Sequence, residues 1–129
     1  MASLLLATAL ASGCAGMPGP ACGSGQQAVT EMLYFGTDSP DGPVSDAQWQ
    51  AFVEEVVTPR FPEGMTTWRA QGQWRGTDGV IVREASHVLQ LVRLGGAGAD
   101  AGAEIADAYR KRFSQEAVLR TQTQGCASL

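Results

Sequence analysis

Between Ala28 and Thr123 the hydrophobic pattern changes in the order strand, helix, strand, strand, helix, strand, and few small architectures accept that order. Ala28 to Phe35, AVTEMLYF, is β-branched, aromatic or aliphatic except at Thr30 and Glu31, which fits a largely buried strand ended by Gly36. Thr37 to Pro43, TDSPDGP, is turn chemistry, and its Asp38 and Asp41 follow no calcium-loop spacing. Ser45 with Gln48 three residues on forms a capping box, and Val44 with Trp49 forms a hydrophobic staple, so a helix begins here. Trp49, Phe52, Val53, Val56 and Val57 recur at helical spacing on one stripe, and Asp46 suits the positive end of the dipole. Thr58 before Pro59 ends the helix.

Met65 to Arg75 alternates, with Trp68, Ala70, Gly72 and Trp74 on a face expected to be buried and Arg69, Gln71, Gln73 and Arg75 on the other. Asp78-Gly79 predicts a two-residue hairpin turn with positive φ at both positions. The returning strand runs from Val80 to about Leu94, and its half from Val88 is apolar enough to be covered on two sides. Gly95 to Ala99 is a connector. A phosphate-loop reading of it fails, since no Lys follows and Asp100 would repel an anion. Asp100 to Phe113 is the second helix, with Asp100, Glu104 and Asp107 early, Arg110, Lys111 and Arg112 late, and Ile105, Ala108, Tyr109 and Phe113 inward. Ala117 to Thr123 is the last strand. The expected fold is α+β, a ferredoxin-like split βαβ (βαββαβ) with a four-stranded antiparallel sheet and two helices on one face.

The first thirty residues contain no Asp, Glu, Lys or Arg, and Leu4 to Ala11 is a short apolar block followed by small residues, the shape of an export signal. The block is too short to span a membrane, which takes about 20 apolar residues. A buried N-terminal helix is the alternative, and the glycines and prolines after Gly13 weigh against it. Leu10-Ala11-Ser12-Gly13-Cys14 resembles a bacterial lipobox, with Ala11 where Leu is commoner. Lipidation of Cys14 is therefore expected, and cleavage after Ala9-Leu10-Ala11 by the general signal peptidase is the other possibility. The expected divisions are a signal peptide at 1–13, a flexible tether at 14–27 and a domain at 28–129. With Cys14 lipidated, Cys22 and Cys126 are an even pair in an oxidising compartment and are expected to be bridged. In the expected topology the first and last strands are neighbours, so both cysteines flank one sheet edge.

The 129 residues carry 13 acidic and 9 basic side chains, a formal charge of -4 with no basic tract, which excludes nucleic acid as an expected partner. With 44% hydrophobic and 17% charged residues the chain is expected to fold rather than stay disordered.

YFG at Tyr34 to Gly36, VTPRFPEGMT at Val57 to Thr66, GQWRGTDGVIVREAS at Gly72 to Ser86 and AYRKRFSQEAVLR at Ala108 to Arg120 together resemble a bacterial family of exported proteins, domain-of-unknown-function family thirty-five seventy-four. The resemblance spans about Cys22 to Cys126 and implies a small exported domain with a cysteine near each end, but no established reaction. After the motif serine the family usually has a basic residue, and here that position is His87.

His87 is the natural acid-base candidate, but it stands three strand residues from Glu84 and is expected to be a surface histidine. Arg75, Arg83 and Glu84 suggest a polar cluster across the hairpin, or plain cross-strand ion pairs. Trp74 and Tyr109 suggest the lining of a pocket between sheet and helices, or core. No nucleophile with a base, no metal pattern and no cofactor motif can be assembled. The expected function is a noncatalytic envelope module with a lipid anchor, open to homodimer formation through the bare sheet face and to a small hydrophobic ligand or an envelope protein. The alternative is a small cofactor-independent enzyme similar to the dimeric α+β-barrel group, acting on a hydrophobic molecule between sheet and helices. A filled core favours the first and a closed apolar pocket holding His87 or Tyr34 the second. Metabolic labelling with a radioactive fatty acid is expected to mark the wild-type chain and not Cys14→Ser; an unlabelled wild type, or a labelled variant, contradicts the lipid anchor.

Overall fold

The computed structural model describes residues 21–95 and 100–129. The expected signal peptide, Cys14, most of the tether and the connector at 96–99 lie outside the described residues. Strand β1 (Gln26–Gly36) is followed by helix α1 (Asp46–Phe52), which runs on into a π-helical turn at Val53–Val57. Strands β2 (Thr66–Arg75) and β3 (Ile81–Leu94), helix α2 (Ala101–Phe113) and strand β4 (Leu119–Ala127) complete an α+β chain. The four strands form one open sheet in the order β2-β3-β1-β4, every neighbouring pair antiparallel.

The capping box is formed: Ser45 Oγ accepts from the Gln48 N–H at 3.3 Å, and Gln48 Oε1 accepts from the Ser45 N–H at 2.9 Å. At the other end the Thr58 N–H reaches back five residues to the Val53 carbonyl, which makes the last turn π-helical and buries Val57 while Val53 and Val56 are only partly covered. Asp100 caps α2 by accepting from the Ala103 N–H at 3.1 Å. The β2–β3 turn is one residue longer than expected. Gly76 N–H bonds to the Val80 carbonyl, and Gly79 alone has positive φ, at 83°, so the connection is a three-residue loop.

Both helices cover the same sheet face. Leu33 and Phe35 of β1 and Leu89 and Leu91 of β3 share a cluster with Trp49 and Phe52 of α1 and Ile105, Tyr109 and Phe113 of α2. Phe35 sits at its centre, with ring centroids 5.1 Å from Trp49 and 4.7 Å from Tyr109. Two expectations are corrected here. The Trp68, Ala70, Gly72, Trp74 face of β2 is turned away from the helices, and no residue of β2 is buried. The second half of β3 is covered fully only on the helix side, since Val92 and Leu94 are exposed on the other.

Beneath the start of α2 lies an ionic cluster. Glu31 of β1, 1% exposed, accepts from Arg120 Nε at 2.8 Å and Nη2 at 2.6 Å, with Arg93 Nη2 3.8 Å from its other oxygen. Arg120 also pairs with Asp100, the cap of α2. The cluster thus ties β4, β1, β3 and α2 together. Gly102 leaves room for it, because a Cβ there would overlap the Glu31 carboxylate.

A disulfide joins Cys22 to Cys126 across 104 residues, with Cα atoms 5.3 Å apart. Gln26 and Gln27, two residues before Ala28, already pair with Ala127 and Cys126. Closing a loop of this length restricts the unfolded chain by about 4 to 5 kcal/mol in the loop-entropy account. The double variant Cys22→Ser, Cys126→Ser is expected to lose about 2 to 5 kcal/mol in urea unfolding; an unchanged midpoint contradicts this.

Candidate functional site

On the face away from the helices, strand pairing sets side chains in rows. Trp68, Val88, Tyr34 and Leu119 lie opposite one another across four strands, and the next row is Ala70, Ser86 and Gly36. Beyond it Gly72 faces Glu84, and then Trp74 faces Val82. Bulky rows therefore flank a floor of Ala70, Ser86, Gly36 and Gly72, with Glu84 at its edge. The result is a pocket of about 310 Å³ with Trp74, Tyr34 and Leu119 in its walls. Gln115 and Glu116, between α2 and β4, close one side. Val88, although on this bare face, is only 1% exposed, because its row neighbours on both sides are aromatic.

Glu84 is fixed at the edge of the floor. Its Oε1 accepts from Trp74 Nε1 at 3.1 Å, and its Oε2 accepts from the Asp38 N–H at 2.8 Å. Gly36 permits this, since a Cβ there would overlap the carboxylate. The loop after β1 is itself held down by Thr37, whose N–H and Oγ1 both donate to the Ala85 carbonyl, at 3.0 and 2.8 Å. Tyr109, directly under the floor in the core, donates to the Gly36 carbonyl at 2.9 Å. Burial first, and then the Glu84 charge, hold its phenol well above its ordinary pKa of 10.0.

The residues singled out from the sequence are divided between the two faces. Trp74 and Glu84 meet in the pocket. Arg75 and Arg83 stand at alternate positions on the other face of the hairpin, where Arg75 donates to the Gly79 carbonyl at 3.4 Å. Tyr109 is core. His87 is not a surface histidine: it is 5% exposed and lies flat on Trp49, with ring centroids 4.4 Å apart and planes 6° from parallel. Its neighbours in register, Phe35 and Arg69, place it on the helix side, so His87 and Glu84 face opposite ways and do not form a couple. Burial, and then the Arg69 charge, lower its pKa.

Sequence reasoning named Tyr34 only for a pocket between sheet and helices, and missed Gly36, Ser86 and Gln115 as lining residues. The signal that was present is the large-small-small-large alternation Trp68, Ala70, Gly72, Trp74, which marks a hollow once its face is known to be bare. On the helix side the aromatic cluster fills the interior. At the edge between α1 and β2 lies an open cleft of about 590 Å³, walled by Trp49, Trp68, His87 and Val53 and crossed by the Asp46–Arg69 ion pair.

A His87 of lowered pKa favours the unfolded chain as pH falls, since that chain takes up its proton near 6.5 and the folded one only lower. The His87 contribution to stability is thus present above about 6.5 and lost below it. In urea unfolding between neutral and mildly acid pH, the wild type is expected to lose more stability than His87→Phe, which keeps a ring on Trp49. Parallel losses contradict the assignment.

A family profile described as protein of unknown function, DUF3574, matches residues 30–129, and the chain belongs to that family. No curated protein matches it. Among solved structures it is similar to a phage SAM lyase in complex with S-methyl-5'-thioadenosine, with 15% identity, 88% of this chain and 95% of that chain covered and a TM-score of 0.58. A phage SAM lyase in the apo state is similar at 18% identity, 78% and 81% coverage and a TM-score of 0.53. At these identities the likeness is one of fold.

Proposed function

We propose that this member of the DUF3574 family is a noncatalytic binding module of the bacterial envelope, exported by residues 1–13 and anchored by lipid on Cys14, which takes a compact small molecule into its open-face pocket. The observation that carries the ligand is the pocket itself. It offers two aromatic side chains for stacking, small residues that let a flat body reach the backbone, and one fixed carboxylate. A phage SAM lyase of similar fold, with a nucleoside thioether bound, supports a ligand of that size. The antiparallel order β2-β3-β1-β4, with one helix between β1 and β2 and another between β3 and β4, supports the ferredoxin-like split βαβ arrangement. The Cys22–Cys126 bridge supports an oxidising compartment.

Binding is preferred to turnover because Ser86 has no base hydrogen-bonded to it among the described residues and because His87 and Glu84 face opposite sides of the sheet. Native mass spectrometry of protein taken from its host is expected to show a small-molecule adduct on the wild type that Gly72→Val, which fills the floor, loses. A bare wild type, or an adduct kept by Gly72→Val, contradicts the reading.

A further inference from the structure

Charge in the pocket is one-sided. Its lining contains the carboxylates of Glu84 and Glu116 and no Lys, Arg or His. Several other carboxylates among the described residues are paired with cations: Glu31 has Arg120, Glu55 has Arg112, Glu104 has Arg60, and Asp46 has Arg69, whereas exposed ones such as Glu54 and Glu63 face solvent. Glu84 differs. Its two partners, the Trp74 indole N–H and the Asp38 backbone N–H, are neutral, and the hairpin arginines Arg75 and Arg83 stand on the opposite face. Those two bonds fix the carboxylate's orientation without neutralising it, and its charge reaches through the floor to Tyr109. A half-buried, uncompensated charge beside apolar surface favours whatever cation enters with it. Trp74 and Tyr34 bound the same space, and an aromatic face attracts a cation most when water is excluded.

We infer that the pocket selects an organic cation, a sulfonium or quaternary ammonium group carried on a flat ring or nucleoside, with Glu84 as its counter-charge and Trp74 and Tyr34 as its aromatic walls. This inference rests on the binding reading above and adds the ligand's charge. A bare metal ion is not the expected guest, because the two carboxylates come from β3 and from the segment before β4, and the remaining lining is mostly apolar. A guanidinium or primary ammonium would seek more acceptors than Glu84 has free, whereas an alkylated cation has no N–H to satisfy and gains from the aromatic walls.

Isothermal titration at neutral pH with phenyltrimethylammonium and with N,N-dimethylaniline, its uncharged relative, tests the charge directly. S-adenosylmethionine against S-adenosylhomocysteine repeats the comparison on a nucleoside body. The charged member of at least one pair is expected to bind roughly tenfold more tightly. Glu84→Gln, checked for an intact fold by circular dichroism, is expected to bring that ratio close to one, and Glu116→Gln to lower it partly. Equal binding of charged and neutral members, or a ratio that survives Glu84→Gln, overturns the inference and leaves the pocket reading standing. Binding of no probe by a wild type that still carries its host-derived adduct does the same. No probe bound and no adduct overturns both.

Discussion

Strand β1 is hydrogen-bonded on both sides, to β3 and to β4, and its two-residue period therefore decides what each face of the sheet becomes. Glu31, Leu33 and Phe35 point to the helices and are fully buried. Met32, Tyr34 and Gly36, one residue out of step, form the bare face. A slip of one residue would put Tyr34 in the aromatic cluster and Phe35 in water. The disulfide and the Glu31–Arg120 pair both act on the β1–β4 pairing, one at the strand end and one under α2, and each opposes such a slip.

The site follows from that division. The aromatic cluster occupies the sheet–helix interior and the cleft at its edge is crossed by the Asp46–Arg69 ion pair, whereas the open face offers a mostly apolar hollow where rows of large and small residues alternate. Gly36 links the two halves: its lack of a side chain admits Glu84 above the sheet, and its carbonyl accepts from Tyr109 below it. The core thus positions the floor of the pocket, although it contributes no lining side chain.

Much of the architecture was legible in the sequence because its signals are local. Ser45 and Gln48 cap each other across one turn, and Asp100, read as an early acid of the second helix, is its N-cap. The cysteine pair was legible from number and compartment, and the neighbouring placement of first and last strands agrees with it. Alternation along β2 separated two faces correctly but carried no label saying which the helices cover, and the tryptophans drew the wrong one. His87 shares its parity with Leu89 and Leu91, so its burial was readable; its isolation as a titratable group suggested the surface instead. Glu31 stands out in the sequence only as an interruption of the first strand, although it shares parity with Leu33 and Phe35 and is buried with them. That its partner cation is Arg120, 89 residues on, is a fact of pairing and not of spacing. Glu84 over Gly36 is of the same kind.

The account stands on the bare face being the one that binds. The tryptophans report on this separately, since Trp74 lines the open-face pocket while Trp49 and Trp68 both line the cleft at α1. In fluorine NMR of protein carrying 5-fluorotryptophan, with resonances assigned by single Trp→Phe variants, titration with phenyltrimethylammonium is predicted to move the Trp74 signal most and leave Trp49 in place. A shift of Trp49 and Trp68 that spares Trp74 would place recognition in the cleft at α1 and contradict the account.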